Sequence, residues 1–239
     1  MQVSHECERI VCRWALRISW RAVIVTFLCF VIFLYMMFTM VNDRYIHHLT
    51  WYEQPAPCVT PKFIMDRMIE LTFAVSNLLT KLNISHVICY GTLWGALRNG
   101  KILPWDNNVH FCLLKNDIQK VPWHTLQENF RASNLDLSYD VRHGEYIVTQ
   151  GPAQAILSVF YLTPYDEIFQ DGFEHRLMWF FQDNPVSFPS RLIESPFNTV
   201  LFHGQPLPVP HDGIEILKYL YKDDWWLVKP PPGCPERAR

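Results

Sequence analysis

Twenty consecutive residues, Ala22 to Val41, carry no charge. As a helix such a run is about 30 Å long, the thickness of a bilayer's hydrocarbon layer, where backbone N–H and C=O groups are satisfied only in a helix or a closed barrel. A buried core helix would present a polar face, and this run has none. Arg9, Arg13, Arg17 and Arg21 precede it, whereas only Asp43 and Arg44 follow closely. The positive-inside bias therefore leaves the N-terminus cytosolic and the rest luminal, in the endoplasmic reticulum or Golgi. A cleaved signal peptide has a shorter apolar region and a small-x-small cleavage pattern, which Thr39-Met40-Val41-Asn42 lacks. The expected division is a cytosolic tail (1–21), a transmembrane signal-anchor (22–41), a luminal stem (42–59), a globular domain (60–230) and a loose C-terminal tail (231–239).

A luminal domain is open to glycosylation and disulfide formation. Asn83-Ile84-Ser85 is an acceptor triplet for an N-linked glycan. Cys58, Cys89, Cys112 and Cys234 follow the apolar run, an even number that allows three pairings, and their spacing does not suggest zinc. Cys58 and Cys234 stand near the two ends of the domain and suit a staple between them. Cys89 and Cys112 fall in expected strands and read equally as a bridge or as two buried thiols. With 49% hydrophobic and 18% charged residues, the chain is composed to bury a core. A formal charge of −2 gives no footprint for nucleic acid.

Thr60-Pro61 opens a helix, with a hydroxyl at the N-cap and proline in the first helical position. Ile64, Met68, Leu71, Val75, Leu78 and Leu82 continue it as one apolar stripe. His86 to Tyr90 reads as a buried strand, Gly91-Thr92 as a tight turn, and Leu93 to Arg98 as a short helix stopped by Asn99-Gly100. Further strands are expected over Asn108–Leu114, Leu135–Val141, Tyr146–Gln150 and Ala155–Leu162, with Arg142 to Glu145 as a hairpin turn and helices over Val121–Phe130 and Gly213–Tyr221. Phe202 to Pro210 is extended by its prolines. The alternation gives an α+β or α/β fold.

The chemistry-bearing stretch is Tyr90-Gly91-Thr92-Leu93-Trp94-Gly95-Ala96-Leu97-Arg98, followed by Ile102-Leu103-Pro104-Trp105-Asp106-Asn107-Asn108-Val109-His110-Phe111. Residues at n, n+2 and n+4 of a strand share a face, so acids at such positions can jointly hold a divalent cation. A Gly-Thr step before them brings N–H groups and a hydroxyl within reach of phosphate.

This stretch resembles the LicD family, which includes phosphocholine transferases, fukutin and fukutin-related protein, with a pattern near Gly-Thr-Leu-Leu-Gly-x-x-Arg and then Ile-x-Pro-Trp-Asp-x-Asp-x-Asp. Pro208-Val209-Pro210 with Leu217, Leu220-Tyr221 and Trp225 is similar to the family's C-terminal element, with Lys222 where that element has glycine. The resemblance implies an α+β, polymerase-β-type nucleotidyltransferase fold, a mixed sheet with flanking helices. It also implies transfer of a phospho-alcohol from a CDP-linked donor to a glycan, assisted by Mg²⁺ or Mn²⁺. Carried over residue by residue, Gly91, Thr92 and Arg98 would hold nucleotide or phosphate. Asp106, Asn108 and His110 would occupy the metal positions, with Asp106 the catalytic carboxylate. Ser158, in Leu157-Ser158-Val159-Phe160, would stand where the third acid belongs.

One carboxylate of three remains, and neither asparagine nor histidine supplies the negative charge on which Mg²⁺ affinity rests. Asp136, Asp140, Asp166 and Glu167 would restore it only if the fold brought them beside Asn108. Two expectations follow: a catalytically impaired domain that serves as binding or regulatory partner of an active transferase, or an active phosphotransferase with an altered metal site. Each residue also has a purely structural reading. Gly91 and Thr92 suit a helix start, Arg98 a pair with Asp106, Asp106 a cap, His110 a hydrogen-bonded core position, and Trp94, Trp105 and Trp225-Trp226 packing. An unrelated glycosyltransferase would need an Asp-x-Asp, and the luminal region has none, Asp136 and Asp140 being more widely spaced.

Overall fold

The computed structural model describes residues 20–47, 58–173, 176, 187–221, 225–227 and 234, in two units, Met1–Leu49 and Thr50–Arg239. The described part of the first is one helix, α1 (Trp20–His47). Its segment Trp20–Met40 is long and apolar enough to cross a membrane, by length and composition. The helix begins two residues before the expected anchor and continues through residues 42–47, where the stem is expected to start. Arg9, Arg13 and Arg17, most of the stem, and the C-terminal tail apart from Cys234 lie outside the described residues.

The second unit opens with α2 (Lys62–Lys81), whose Met68, Leu71, Val75, Leu78 and Leu79 are buried as the stripe requires. Each such side chain contributes about 1.5–3 kcal/mol of burial free energy. The helix start differs from expectation: Pro61 is the N-cap and Thr60 makes no cap bond. Instead the Thr60 N–H donates to the Pro104 carbonyl (2.7 Å) and its hydroxyl to that of Asp106 (2.6 Å). Two bonds to the loop ahead of the second strand replace one to the helix end, tying α2 to that loop.

The chain then runs through β1 (His86–Ile88), α3 (Tyr90–Asn99), β2 (Val109–Leu114), α4 (Lys115–Ile118), α5 (Trp123–Ala132), β3 (Asp136–Asp140), β4 (Glu145–Gln150) and β5 (Ala153–Leu162). β6 (Glu167–Gln170), β7 (Ser187–Pro189), β8 (Asn198–Phe202), β9 (Gln205–Val209) and α6 (Gly213–Leu220) follow. The main sheet has the order β1-β2-β5-β4-β3, with β6 on β5 and β7 on β6. β2 and β5 are parallel while the other pairs are antiparallel, so the sheet is mixed and the fold α+β. One face is fully buried: Ala153, Ala155, Leu157 and Val159 of β5 alternate with half-buried Gln154 and Ile156.

Two expectations are corrected. Gly91 and Thr92 lie in the first turn of α3 rather than in a turn before it, and β1 ends at Ile88. Glu145 is the first residue of β4 and not part of the hairpin turn. Phe202 to Pro210 is extended as expected and forms part of a hairpin: Pro206 and Pro208 sit in β9, which among the described residues pairs with β8 alone, an edge position where a missing N–H is tolerated.

The β3–β4 turn locks onto the chain leaving β6. Phe173 N–H bonds the Val141 carbonyl (3.1 Å), and Val159 N–H bonds that of Gly144 (3.1 Å). Gly172, at φ +116°, passes within contact of the His143 backbone. Disulfides join Cys58 to Cys234 and Cys89 to Cys112. Closing a loop as long as the first is worth about 5 kcal/mol in the chain-entropy account.

Candidate functional site

Cys89 follows β1 with extended backbone, its N–H donating to the His110 carbonyl (3.0 Å) and its sulfur bonded to Cys112. α3 starts there. Thr92, 1% exposed, accepts the His110 N–H at its Oγ1 (2.9 Å), so the Gly-Thr step pins the helix to β2. Asp106 fills the space beside Gly91: a methyl group at that glycine would lie 3.3 Å from Oδ1. Its Oδ2 is buried with no hydrogen-bond partner among the described residues. Burial pushes the carboxyl up to about 7, partly offset by a hydrogen bond with the Leu103 backbone. An acid of this kind is close to half-neutral at physiological pH.

Asn108 lies in the bend before β2. The His110 ring packs 5.2 Å from that of Tyr90, and its Nδ1 is buried without a hydrogen-bond partner among the described residues. Burial holds its conjugate acid down to about 4, so the imidazole is neutral at neutral pH. Arg98 turns elsewhere. Its guanidinium stacks 4.0 Å over Trp94 and donates to the Trp226 carbonyl (2.8 Å) instead of pairing with Asp106. The structure therefore brings Gly91, Thr92, Asp106 and His110 together around the start of α3, and directs Arg98 to the C-terminal segment.

Ser158 is fully buried on β5, and directly opposite it in the β4–β5 register stands Glu145. The Ser158 hydroxyl donates to Glu145 Oε1 (2.9 Å), the Gln170 amide donates to the same oxygen (3.1 Å), and the Tyr90 hydroxyl donates to Gln170 Oε1 (3.2 Å). Burial raises the Glu145 carboxyl above the usual range, against the lowering effect of the Ser158 bond. None of Asp136, Asp140, Asp166 or Glu167 takes this place. Asp140 pairs with His143 (2.6 Å), and Asp166 accepts from the Ser190 hydroxyl (2.7 Å).

Sequence reasoning missed Glu145 because it was placed in the turn. Alternation of Tyr146 and Val148 against Ile147 was the available signal: extended one residue back, it puts Glu145 on the face of Ile147. Among the described residues, no group of three or more His, Cys, Asp or Glu side chains is placed to hold a metal ion. Asn83, the expected glycan acceptor, is exposed just beyond α2.

Solved structures align to this chain at low identity and low TM-score. The crystal structure of ANT(2″)-Ia in complex with adenylyl-2″-tobramycin aligns at 11% identity and a TM-score of 0.41, over 65% of this chain and 76% of that one. The solution structure of the antibiotic-resistance factor ANT(2″)-Ia aligns at 10% identity and 0.43, over 66% and 74%. Lincomycin-bound LnuA, a lincosamide antibiotic adenylyltransferase, aligns at 10% identity and 0.43, over 67% and 89%. No curated protein matches the sequence. The sequence model for the nucleotidyltransferase domain of LicD/FKTN/FKRP matches residues 83–212, over half of the 239-residue chain, from the end of α2 to the start of α6, and the protein belongs to that family.

Proposed function

We propose that the chain is a single-pass type II membrane protein of the endoplasmic reticulum or Golgi. Its LicD/FKTN/FKRP domain has lost metal-dependent phosphotransfer and serves as a binding or regulatory partner of an active transferase. The observation that carries this reading is the donor set. Asp106 is buried and half-neutral, position 108 is an asparagine, His110 is a neutral ring packed on Tyr90, and Ser158 is a hydroxyl bonded to Glu145. Two divalent ions bridging phosphates need several ionised oxygens converging, and these residues do not fit them.

A second reading, an active phosphotransferase with a CDP-linked donor and a glycan acceptor, is favoured by one observation: the carboxylate of Glu145 lies within hydrogen-bond reach of Ser158. Calorimetric titration of the full chain with CDP, with and without Mg²⁺ or Mn²⁺, separates the two. The impaired domain is expected to show no metal-enhanced CDP binding. Metal-enhanced binding that Asp106→Ala abolishes would establish the active reading instead.

Topology rests on the apolar α1, the arginines ahead of it, the two disulfides, which persist in oxidising compartments, and the exposed Asn83. Expressed in cells, the chain is expected to run larger by one endoglycosidase-sensitive glycan, and Asn83→Gln to remove that shift. Absence of the glycan, together with digestion of residues 60–230 by protease outside sealed microsomes, would place the domain in the cytosol.

A further inference from the structure

We propose that the apolar side chains around the point where the chain enters the second unit, Val59, Phe63 and Leu201, dock that unit on the surface of the bilayer that holds α1. The proposal rests on the reading above that α1 spans a membrane, and adds to it a lipid contact made by the second unit itself. Three links fix the entry point: the bond from Cys58 to Cys234 and the two hydrogen bonds of Thr60 to the Pro104 and Asp106 carbonyls. Beside it Val59 is 53%, Phe63 63% and, on β8, Leu201 65% exposed. Shared neighbours bring the three together. The Ile102 N–H, in the loop that Thr60 grips, donates to His203 Nε2 (3.0 Å), and His203 follows directly on β8. Burial and then the Lys101 ammonium lower the pKa of the His203 imidazole, and the carboxylate of Asp66, one helical turn on from Phe63, opposes them. The tip of the β8–β9 hairpin, Lys101 and the first turns of α2 are therefore neighbours. The hairpin packs against β1, one edge of the main sheet, while β3 forms the other.

Chain length and charge select the occupant. Residues 48–57 join the end of α1 to Cys58 and, fully extended, span no more than about 40 Å, which bounds the reach of the entry point from the membrane-spanning helix. Over so short a tether, contact with the bilayer is an intramolecular event, and a few inserted side chains suffice for it. Lys62 and Lys101 are exposed among the apolar groups, Asp66 is the exposed acid beside them, and Arg67 and Glu70 pair with each other. Lysine is depleted at the centre of protein interfaces. At a bilayer its ammonium meets headgroup phosphates while its stem lies along apolar neighbours. Lysines interspersed with Val59, Phe63 and Leu201 thus suit a lipid surface better than a second copy of this chain.

The test uses the full chain in nanodiscs of phosphatidylcholine and phosphatidylserine, with Phe63, Leu201, Trp123 or Tyr139 replaced in turn by the photo-reactive p-benzoylphenylalanine and adducts read by mass spectrometry. Positions 63 and 201 are expected to give phospholipid adducts. Positions 123 and 139, exposed on α5 and on β3 at the far edge of the sheet, are expected to give traces only. Lys62→Glu together with Lys101→Glu is expected to lower the adduct yield at position 201 by about fivefold or more, the weight of a lysine at an anionic surface. Phe63→Ser is expected to lower the same yield in a chain of unchanged thermal stability, since that side chain is exposed. Equal yields at all four positions, adducts between two copies of the chain in place of lipid adducts, or a yield at 201 unaltered in both variants overturns the proposal. Extraction of the chain from microsomes by alkaline carbonate would overturn the membrane-spanning reading and the docking with it. A chain that resists extraction yet gives no lipid adduct at 63 and 201 overturns the docking alone, so the two failures are distinct.

Discussion

Gly172→Ala is expected to destabilise the second unit by roughly 2–6 kcal/mol, combining backbone strain with overpacking of about 1–3 kcal/mol each. The added methyl would lie 2.6 Å from the His143 carbonyl carbon and 2.7 Å from the Arg142 oxygen, at a φ of +116° that side chains rarely adopt. Both neighbours are backbone, so no rotamer change relieves the contact. Against a total stability of about 5–15 kcal/mol the variant is expected to be largely unfolded or to melt far below the parent. Gly151→Ala supplies the comparison: its φ is also positive, +59°, but nothing lies within 4 Å of the added carbon. Thermal unfolding of the two variants checks this, and equal losses would show that the β3–β4 turn is not held by close backbone contact.

Asp106→Asn is expected to stabilise the protein at alkaline pH by about 2–4 kcal/mol, the free-energy equivalent of its raised pKa. Burial favours the protonated carboxyl, with a pKa of about 7 against an ordinary 3.8. Folding therefore takes up a proton between those values, and the stability this gives is complete below about pH 4 and lost as pH rises through about 7. His110 acts in the opposite sense. Its folded pKa of about 4 lies below the ordinary 6.5, so unfolding takes up a proton and stability falls on acidification through that window. The two slopes offset each other in the parent, and the difference between parent and Asp106→Asn isolates the carboxyl. Denaturant midpoints from pH 4 to 8.5 should diverge as pH rises, with the asparagine variant the more stable. A constant difference would mean that Asp106 is ionised throughout.

Much of the scaffold was legible because its signals are periodic. Met68, Leu71, Val75 and Leu78 mark α2 at helical spacing, and Val109, Phe111 and Leu113 mark the buried face of β2. The resemblance carried by Gly91 to Arg98 and Pro104 to Asp106 led to the family. The site was less legible, for two physical reasons. A strand boundary misplaced by one residue hides which face a side chain joins, and Glu145 was hidden in that way. Tertiary contacts also redirect groups whose local roles seem settled: Thr60 leaves its cap for the Asp106 carbonyl, and Arg98 stacks on Trp94. β6 to β8 escaped because three to five residues give too little alternation to distinguish a strand from a loop. Pro206 and Pro208 further disguised β9, since only its position at an edge makes them tolerable.

The bond from Cys58 to Cys234 spans 176 positions of sequence and encloses nearly all of the second unit. In covalent terms that makes the domain a ring, attached to the rest of the chain at Cys58. A protease that cuts once anywhere inside the ring opens it without shedding a fragment, and everything up to Cys234 remains tethered through the sulfur bridge. Release of any of that material takes, beyond the first cut, a second cut or a reductant.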